Sequence, residues 1–399
     1  MTGCSATGQT ESLTVGEVIR QTLPEFSRTH RLPRHHWKVL RALAACHTPA
    51  LGGHQYHCTN CGADHFAPHS CGNRHCPSCQ KLHGAQWLEK QVQHLLPIPY
   101  FHVVFTLPHE LTPLVQHNQA SLNALLFASA TATLLEFGRN NLQATLGIIA
   151  VLHTWGQNLG DHYHLHCVVT GGGLALDRQS WVSCSPQWLF PVRALSVVFR
   201  AKFRDGLQQL FAAGKLQFPA SEPRLAEPEV FGRWLHRVCR PKWVVYCKRP
   251  FAGPETVLAY LCRYTHRVAL TNSRLEALDL QNGTVTFGYK DYAHGNQKRS
   301  MTLSIQEFLR RFCLHILPRR FVKVRHYGLL AGRHREARIA EARARLAELP
   351  RPPLPGPQTV LSLRPVQPPA RVCPRCGQPT LVLIGVIDRP KRPAVCDTS

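Results

Sequence analysis

Apolar residues recur at helical spacing near the start of the chain: Val15, Val18, Ile19 and Leu23, then Trp37, Leu40 and Leu43 within residues 33–45. These two runs predict a pair of amphipathic helices over 14–47. Residues 82–96 carry Trp87, Leu88, Val92, Leu95 and Leu96 on one side and stop at Pro97, predicting a further helix. The pattern then changes. Residues 100–106 mix aromatic and β-branched side chains and predict a strand. Residues 114–137, small and apolar, read as one long or two short helices, 147–152 as a strand, and 192–213 as a helix carrying Arg193, Arg200, Lys202 and Arg204. After a proline-interrupted connector over 214–228, residues 243–248 read as a strand. Gly253-Pro254-Glu255 opens a helix, since proline and an acid both suit a first turn. Strands over 268–271 and 284–289, joined by a loop around Asn282-Gly283, precede a helix over 304–314. Beyond Gly332 the composition shifts to an Ala/Arg/Glu helix over 333–349, expected to face solvent, and a proline-rich linker over 350–369.

One stretch alternates with period two: Asp161-His162-Tyr163-His164-Leu165-His166-Cys167, an apolar run, then Gly171-Gly172-Gly173, expected to close it as a turn. On a strand, His162, His164 and His166 share one face while Tyr163, Leu165 and Cys167 share the other. Imidazoles stacked on one face suit a divalent metal. A histidine-decorated edge strand without metal is equally open from this stretch alone.

Charge narrows the possible partners. The 399 residues hold 47 Lys+Arg against 23 Asp+Glu, a net charge of +24, beside 24 histidines. Such an excess implies a polyanion partner, and nucleic acid first among them. A hydrophobic content of 44% fills a sizeable core and excludes wholesale disorder. Residues 1–23 lack a secretory pattern, and no run of about 18 uncharged apolar residues is present, so a cytoplasmic protein without a membrane span is expected. In a reducing compartment the 16 cysteines point to metal rather than disulfides. Two CxxC pairs, Cys58/Cys61 and Cys76/Cys79, stand 14 residues apart, as in structural zinc sites. Cys71 and His75 are rival ligands, and Arg74, Lys81 and Lys90 suit a nucleic-acid surface held by that site. In the tail, Cys373-Pro-Arg-Cys376-Gly377 is half of a zinc ribbon, with only Cys396 nearby.

Tyr260 and Tyr264 lie four apart on the helix expected after Gly253, among Arg263, His266 and Arg267. Four-residue spacing puts both phenols on one face. Two core or surface tyrosines would satisfy that spacing. Among arginines, however, a tyrosine can attack a phosphodiester, because the cations stabilise phenolate and developing phosphorane charge.

The His164-Leu165-His166 motif with the downstream Tyr260-Leu-Cys-Arg-Tyr264 resembles the HUH superfamily of single-strand endonucleases. More closely, it resembles the paired-tyrosine transposases of rolling-circle insertion sequences. The resemblance includes Ser70-Cys-Gly-Asn-Arg-His-Cys-Pro-Ser-Cys-Gln80, Tyr100-Phe-His-Val-Val-Phe-Thr-Leu-Pro108, His153-Thr-Trp-Gly-Gln-Asn-Leu159, Trp243-Val-Val-Tyr246, Arg263-Tyr-Thr-His-Arg-Val268, Tyr289-Lys-Asp-Tyr292 and Arg325-His-Tyr-Gly328. It spans roughly residues 15–332 plus the tail CxxC. The family often has proline where Tyr163 and Thr170 stand, positions that carry no chemistry. What the resemblance implies is an α+β chain: a ferredoxin-like antiparallel sheet of the HUH type behind an N-terminal helical and zinc-binding domain. The expected division is 1–96 (helical and zinc-binding), 97–332 (catalytic), 333–369 (basic helix and linker) and 370–399 (CxxC tail). It further implies Mg²⁺ or Mn²⁺ held by His164 and His166, with His162 as third ligand, and structural Zn²⁺ on Cys58, Cys61, Cys76 and Cys79. Tyr260 and Tyr264 would be nucleophiles and Arg263 and Arg267 DNA contacts. The partner would be single-stranded DNA at transposon ends and in the target. A replication initiator or relaxase, and a catalytically inactive zinc-dependent DNA-binding protein, are the alternatives.

Overall fold

The computed structural model describes residues 13–80, 94–185, 187, 189–251, 268–292, 294–349 and 371–390. Contacts divide the chain into two compact units that do not follow its linear order. The first gathers the N-terminal segment, residues 268–316 and the tail; the second holds most of the middle and residues 317–349.

The second unit is built on an antiparallel sheet. Strands β3 (Tyr100–Thr106), β4 (Ala144–Trp155), β5 (Asp161–Ala175) and β7 (Val245–Phe251) lie in the order β4-β5-β3-β7, with β11 (Val324–Gly328) outside β4 and the short β6 (Trp181–Ser183) on the end of β5. Between β3 and β4 run α3 (Thr112–His117) and α4 (Gln119–Leu142); between β5 and β7 run α5 (Val192–Ala212) and α6 (Pro228–Cys239). Helix-crossed strands in this order form a ferredoxin-like α+β fold. Period-two alternation decides which side chains meet the helices. Phe101, Val103 and Phe105 of β3, Leu146, Ile148, Ala150 and Leu152 of β4, and Tyr163, Leu165, Cys167 and Val169 of β5 join Leu126, Phe127, Phe199, Phe203 and Trp234 in one buried core. Helix α4 is long and apolar enough to cross a membrane by length and composition, but it supplies ten buried residues to this unit. The opposite face of the sheet has a smaller core, where Tyr100, Ile149 and Val168 meet Leu329, Leu330, Ile339 and Ala342.

Several expectations change. The three glycines do not end the histidine strand; β5 runs through them to Ala175. Neighbouring backbones explain the glycines. A Cβ on Gly171 would lie 2.7 Å from the Pro99 oxygen, and one on Gly172 or Gly173 would strike the carbonyls of Val182 or Thr145. The Ala/Arg/Glu helix, α8 (Arg335–Ala347), is not wholly in solvent, because Ile339 and Ala342 bury against the sheet. Residues 268–271 form no strand; β9 (Thr284–Asp291) pairs instead with β8 (Leu275–Asp279) and β10 (Gln297–Ser304). The helices expected over 82–96 and after Gly253 fall mostly outside the described residues.

The first unit begins with α1 (Val15–Thr29) and α2 (Arg34–Ala44). Thr14 caps α1 by accepting from the Glu17 N–H, and Ser304 caps α7 (Ile305–Leu314) in the same way through Glu307. Asn272 accepts from the Val15 N–H at 3.1 Å and donates to Ser78 Oγ at 3.0 Å, tying α1 to the Cys76/Cys79 turn. A second small sheet has the order β12-β1-β2, from β1 (Gly53–Cys58), β2 (Asp64–Pro68) and the tail strand β12 (Leu381–Ile387).

Candidate metal centres

Among the described residues, three groups place metal-ligating atoms within 4.8 Å of one another. The first is on the sheet face turned away from α4 and α5. His164 and His166 project from β5, and antiparallel register puts His153 of β4 directly across from His164. Ring centroids lie 5.3 Å apart for His153–His164, 4.5 Å for His153–His166 and 4.8 Å for His164–His166. The third member is therefore His153, not His162. His162 shares the face and its ring lies 4.8 Å from that of His164, but it sits one position further along β5, is exposed and stands outside the group. Periodicity along β5 cannot reveal a residue contributed by the neighbouring strand. The readable signal was the hairpin itself, where Gly156 and Gly160 close a turn that sets His153 against His164.

Neighbours fix these rings. His166 Nδ1 lies 2.8 Å from His102 Nε2, and the two rings stack at 7°. Burial, then the Lys248 charge, lowers the His102 pKa to about 3, so His102 is neutral at ordinary pH. His164 Nδ1 donates to the His162 carbonyl at 2.8 Å. Trp155 stacks on His153 at 4.6 Å, and the Lys323 ammonium lies 4.9 Å from the Trp155 ring centroid. Three converging imidazoles, two of them with an outer nitrogen held by the protein, suit a divalent ion.

The second and third groups are cysteines of the first unit. Cys58, Cys61, Cys76 and Cys79 do not make one tetrad. Cys76 and Cys79 gather with Cys46 and Cys71, whereas Cys58 and Cys61 gather with Cys373 and Cys376. The strands explain the exchange: β1 ends on Cys58 and pairs with β12, which carries the tail CxxC to it. All eight thiols are free. Sulfur separations are 3.6 Å for Cys46–Cys79, 3.6 Å for Cys71–Cys79 and 3.5 Å for Cys46–Cys76. Four sulfurs about 2.3 Å from one zinc ion lie about 3.8 Å apart, so the spacing fits. Crowding polarises the group: the neighbouring thiols of Cys46 and Cys71 hold Cys76 far below the ordinary thiol range, while Cys46 and Cys76 push Cys71 above it. His75 is not in either group, and Cys71, the rival ligand, is in one. Tyr260, Tyr264, Arg263 and Arg267 lie outside the described residues, as do Lys81 and Lys90.

Beside the Cys71 group runs an open groove of about 1220 Å³, lined by Arg34, Lys38, Arg41, His69 and Arg389, with no acidic residue among the described residues of its lining. Arg34, Lys38 and Arg41 share one face of α2, while Leu40 and Leu43 bury the other.

Comparisons with known proteins agree with this architecture. Residues 147–338 match the family described as "Putative transposase" (Y2_Tnp), and residues 18–107 match the "Transposase zinc-binding domain" (Zn_Tnp_IS91). The "Putative transposase y4qJ" of Sinorhizobium fredii is 43% identical over 395 residues, covering 96% of each chain. The "Transposase for insertion sequence element IS801" of Pseudomonas savastanoi pv. phaseolicola is 31% identical over 301 residues, 74% of this chain and 70% of its own. No solved structure matches. The zinc-binding match and the cysteine spacing together identify structural zinc as a component of the first unit.

Proposed function

The chain belongs to the IS91-type transposase family, and from that premise we propose that it nicks single-stranded DNA at the ends of a mobile element by tyrosine attack. The observation that carries the reading is the convergence of His153, His164 and His166 on one sheet face. These three would hold the catalytic Mg²⁺ or Mn²⁺, with His153 in the place expected for His162. With Nδ1 of His164 and His166 occupied by protein partners, Nε2 is the atom each presents. A divalent ion there would polarise the scissile phosphate and orient it for in-line displacement.

Tyr260 and Tyr264 are the nucleophiles in this reading, on their spacing and their arginine neighbours. A phenolic oxygen attacks phosphorus, the P–O3′ bond breaks, and the proton lost by the phenol ends on the departing 3′-oxygen. The products are a 5′-phosphotyrosine and a free 3′-OH. The ester keeps the bond energy, so the strand can be rejoined to target DNA without ATP. Arg263 and Arg267 offset phosphate charge. In the first unit, the Arg34/Lys38/Arg41 face grips the DNA backbone nonspecifically, in keeping with the net charge of +24. The protein would work in the cytoplasm, where its thiols stay reduced.

The test is cleavage of labelled single strands carrying the element's ends. Full-length protein should cut in Mg²⁺ or Mn²⁺, stop when the metal is chelated, and leave the same strand intact when it is paired in a duplex. Cleavage that ignores chelation, or that prefers duplex, would remove the metal-and-single-strand reading.

A further inference from the structure

We propose that Cys58, Cys61, Cys373 and Cys376 form a second structural zinc site, assembled from both ends of the chain, that clamps the tail to the zinc-binding domain. The site goes beyond the family match, which stops at residue 107, and it does not depend on the nicking reading.

Sulfur geometry is the first support. Cys58–Cys376 and Cys61–Cys373 are each 3.7 Å apart, and all four sulfurs lie within 4.8 Å of one another. That is the spacing of four thiolates around one zinc ion.

The backbone supplies an independent second support. Cys58-Thr59-Asn60-Cys61-Gly62 and Cys373-Pro374-Arg375-Cys376-Gly377 fold into the same turn. The glycine after the second cysteine has φ +68° in one and +70° in the other, a region that favours glycine. Its N–H donates to the first cysteine's carbonyl, at 2.9 Å from Gly62 and 2.8 Å from Gly377. The first cysteine donates its own N–H five residues on, to Ala63 at 2.9 Å and to Gln378 at 2.8 Å. Two copies of one thiolate-presenting turn face each other across a sequence separation of 312 residues. Packing of apolar thiols requires no such repetition; tetrahedral coordination does.

The surroundings fit a closed structural site. Thr380 Oγ1 lies 3.1 Å from Cys58 Sγ and His65 Nε2 lies 3.2 Å from Cys373 Sγ, polar groups placed against the sulfurs as a ligand set's outer partners are. The sheet that the site completes has three strands and buries little. Val382, Leu383, Ile384 and Val386 of β12 are all about half exposed. So small a sheet needs a staple, and the metal supplies it.

Zinc content of the full-length protein tests the proposal. Wild type should carry two zinc ions per chain, and Cys373→Ser/Cys376→Ser should carry one, with Cys376→His alone restoring two. Equal zinc in wild type and the double variant would overturn the site. Should the double variant fail to fold, graded chelation of the wild type followed by alkylation and mass spectrometry decides. Cys58, Cys61, Cys373 and Cys376 should become reactive together on loss of one zinc, separately from Cys46, Cys71, Cys76 and Cys79. Immediate alkylation of Cys373 and Cys376 while Cys58 and Cys61 stay protected would refute it.

Discussion

In the proposed metal site each histidine on the sheet face has a separable job. His153→Ala removes one of three converging rings and is expected to abolish metal-dependent cleavage, whereas His162→Ala, one position outside the group, should leave most of it. Equal losses in the two variants, read from initial cleavage rates over a Mn²⁺ titration, would reverse the assignment. His102 acts through His166, holding Nδ1 at 2.8 Å. His102→Ala should therefore raise the metal concentration needed for half-maximal rate by about 10–100-fold, while saturating metal recovers most activity. His164 and His166 were legible in the sequence because strand periodicity lies within one element. His153 was not, because it depends on register between two strands. The tetrad of Cys58, Cys61, Cys76 and Cys79 failed for a related reason: each CxxC turn was legible, but its partner was set by folding.

At the scale of elements, β5 shows how backbone proximity shapes a strand. Gly171 donates its N–H to Pro99 O at 2.8 Å, leaving no room for a side chain there. Gly171→Ala should cost about 1–3 kcal/mol of stability, measured as a lower urea midpoint with unchanged slope. An unchanged midpoint would mean the two backbone segments part at no cost. Local composition suggested a turn at these glycines, since glycine punctuates loops and close-packed strands alike. The edge strand β11 carries His326, whose pKa burial, then Arg335 and His94, lowers to about 4. The unfolded chain takes up that proton near 6.5, so His326 contributes full stability above that pH and loses it as pH falls towards 4. His326→Gln should flatten the pH dependence of the urea midpoint between those values; an unaltered profile would deny it that role. Strongly periodic elements such as α1, α2, β3 and α5 followed directly from apolar spacing. Strand β12 did not, because its apolar residues are exposed and find their place only by pairing with β1.

For the whole molecule, the chain order and the spatial order diverge. The tail and residues 268–316 pack with the N-terminal segment, a relation carried by pairings such as β12 with β1 and Asn272 with Val15. Nothing local in the sequence encodes such long-range pairings. The basic excess, by contrast, was legible at once, and it predicts a steep salt dependence. Arg34→Ala/Lys38→Ala/Arg41→Ala should weaken single-strand binding across unrelated sequences. It should also lower the log–log salt slope by about 0.7 for each phosphate that the variant no longer neutralises. A triple variant with unaltered slope would place the backbone grip elsewhere. In the proposed reaction a tyrosine of this chain becomes joined to DNA at a metal-dependent site. That joining is tested most directly by incubating full-length protein with a 3′-labelled single strand bearing an element end in Mn²⁺, followed by denaturing electrophoresis. Label should migrate with the protein, map by mass spectrometry to Tyr260 or Tyr264 and be lost in Tyr260→Phe/Tyr264→Phe. Label that persists on the double variant, or cleavage without any adduct, would contradict it.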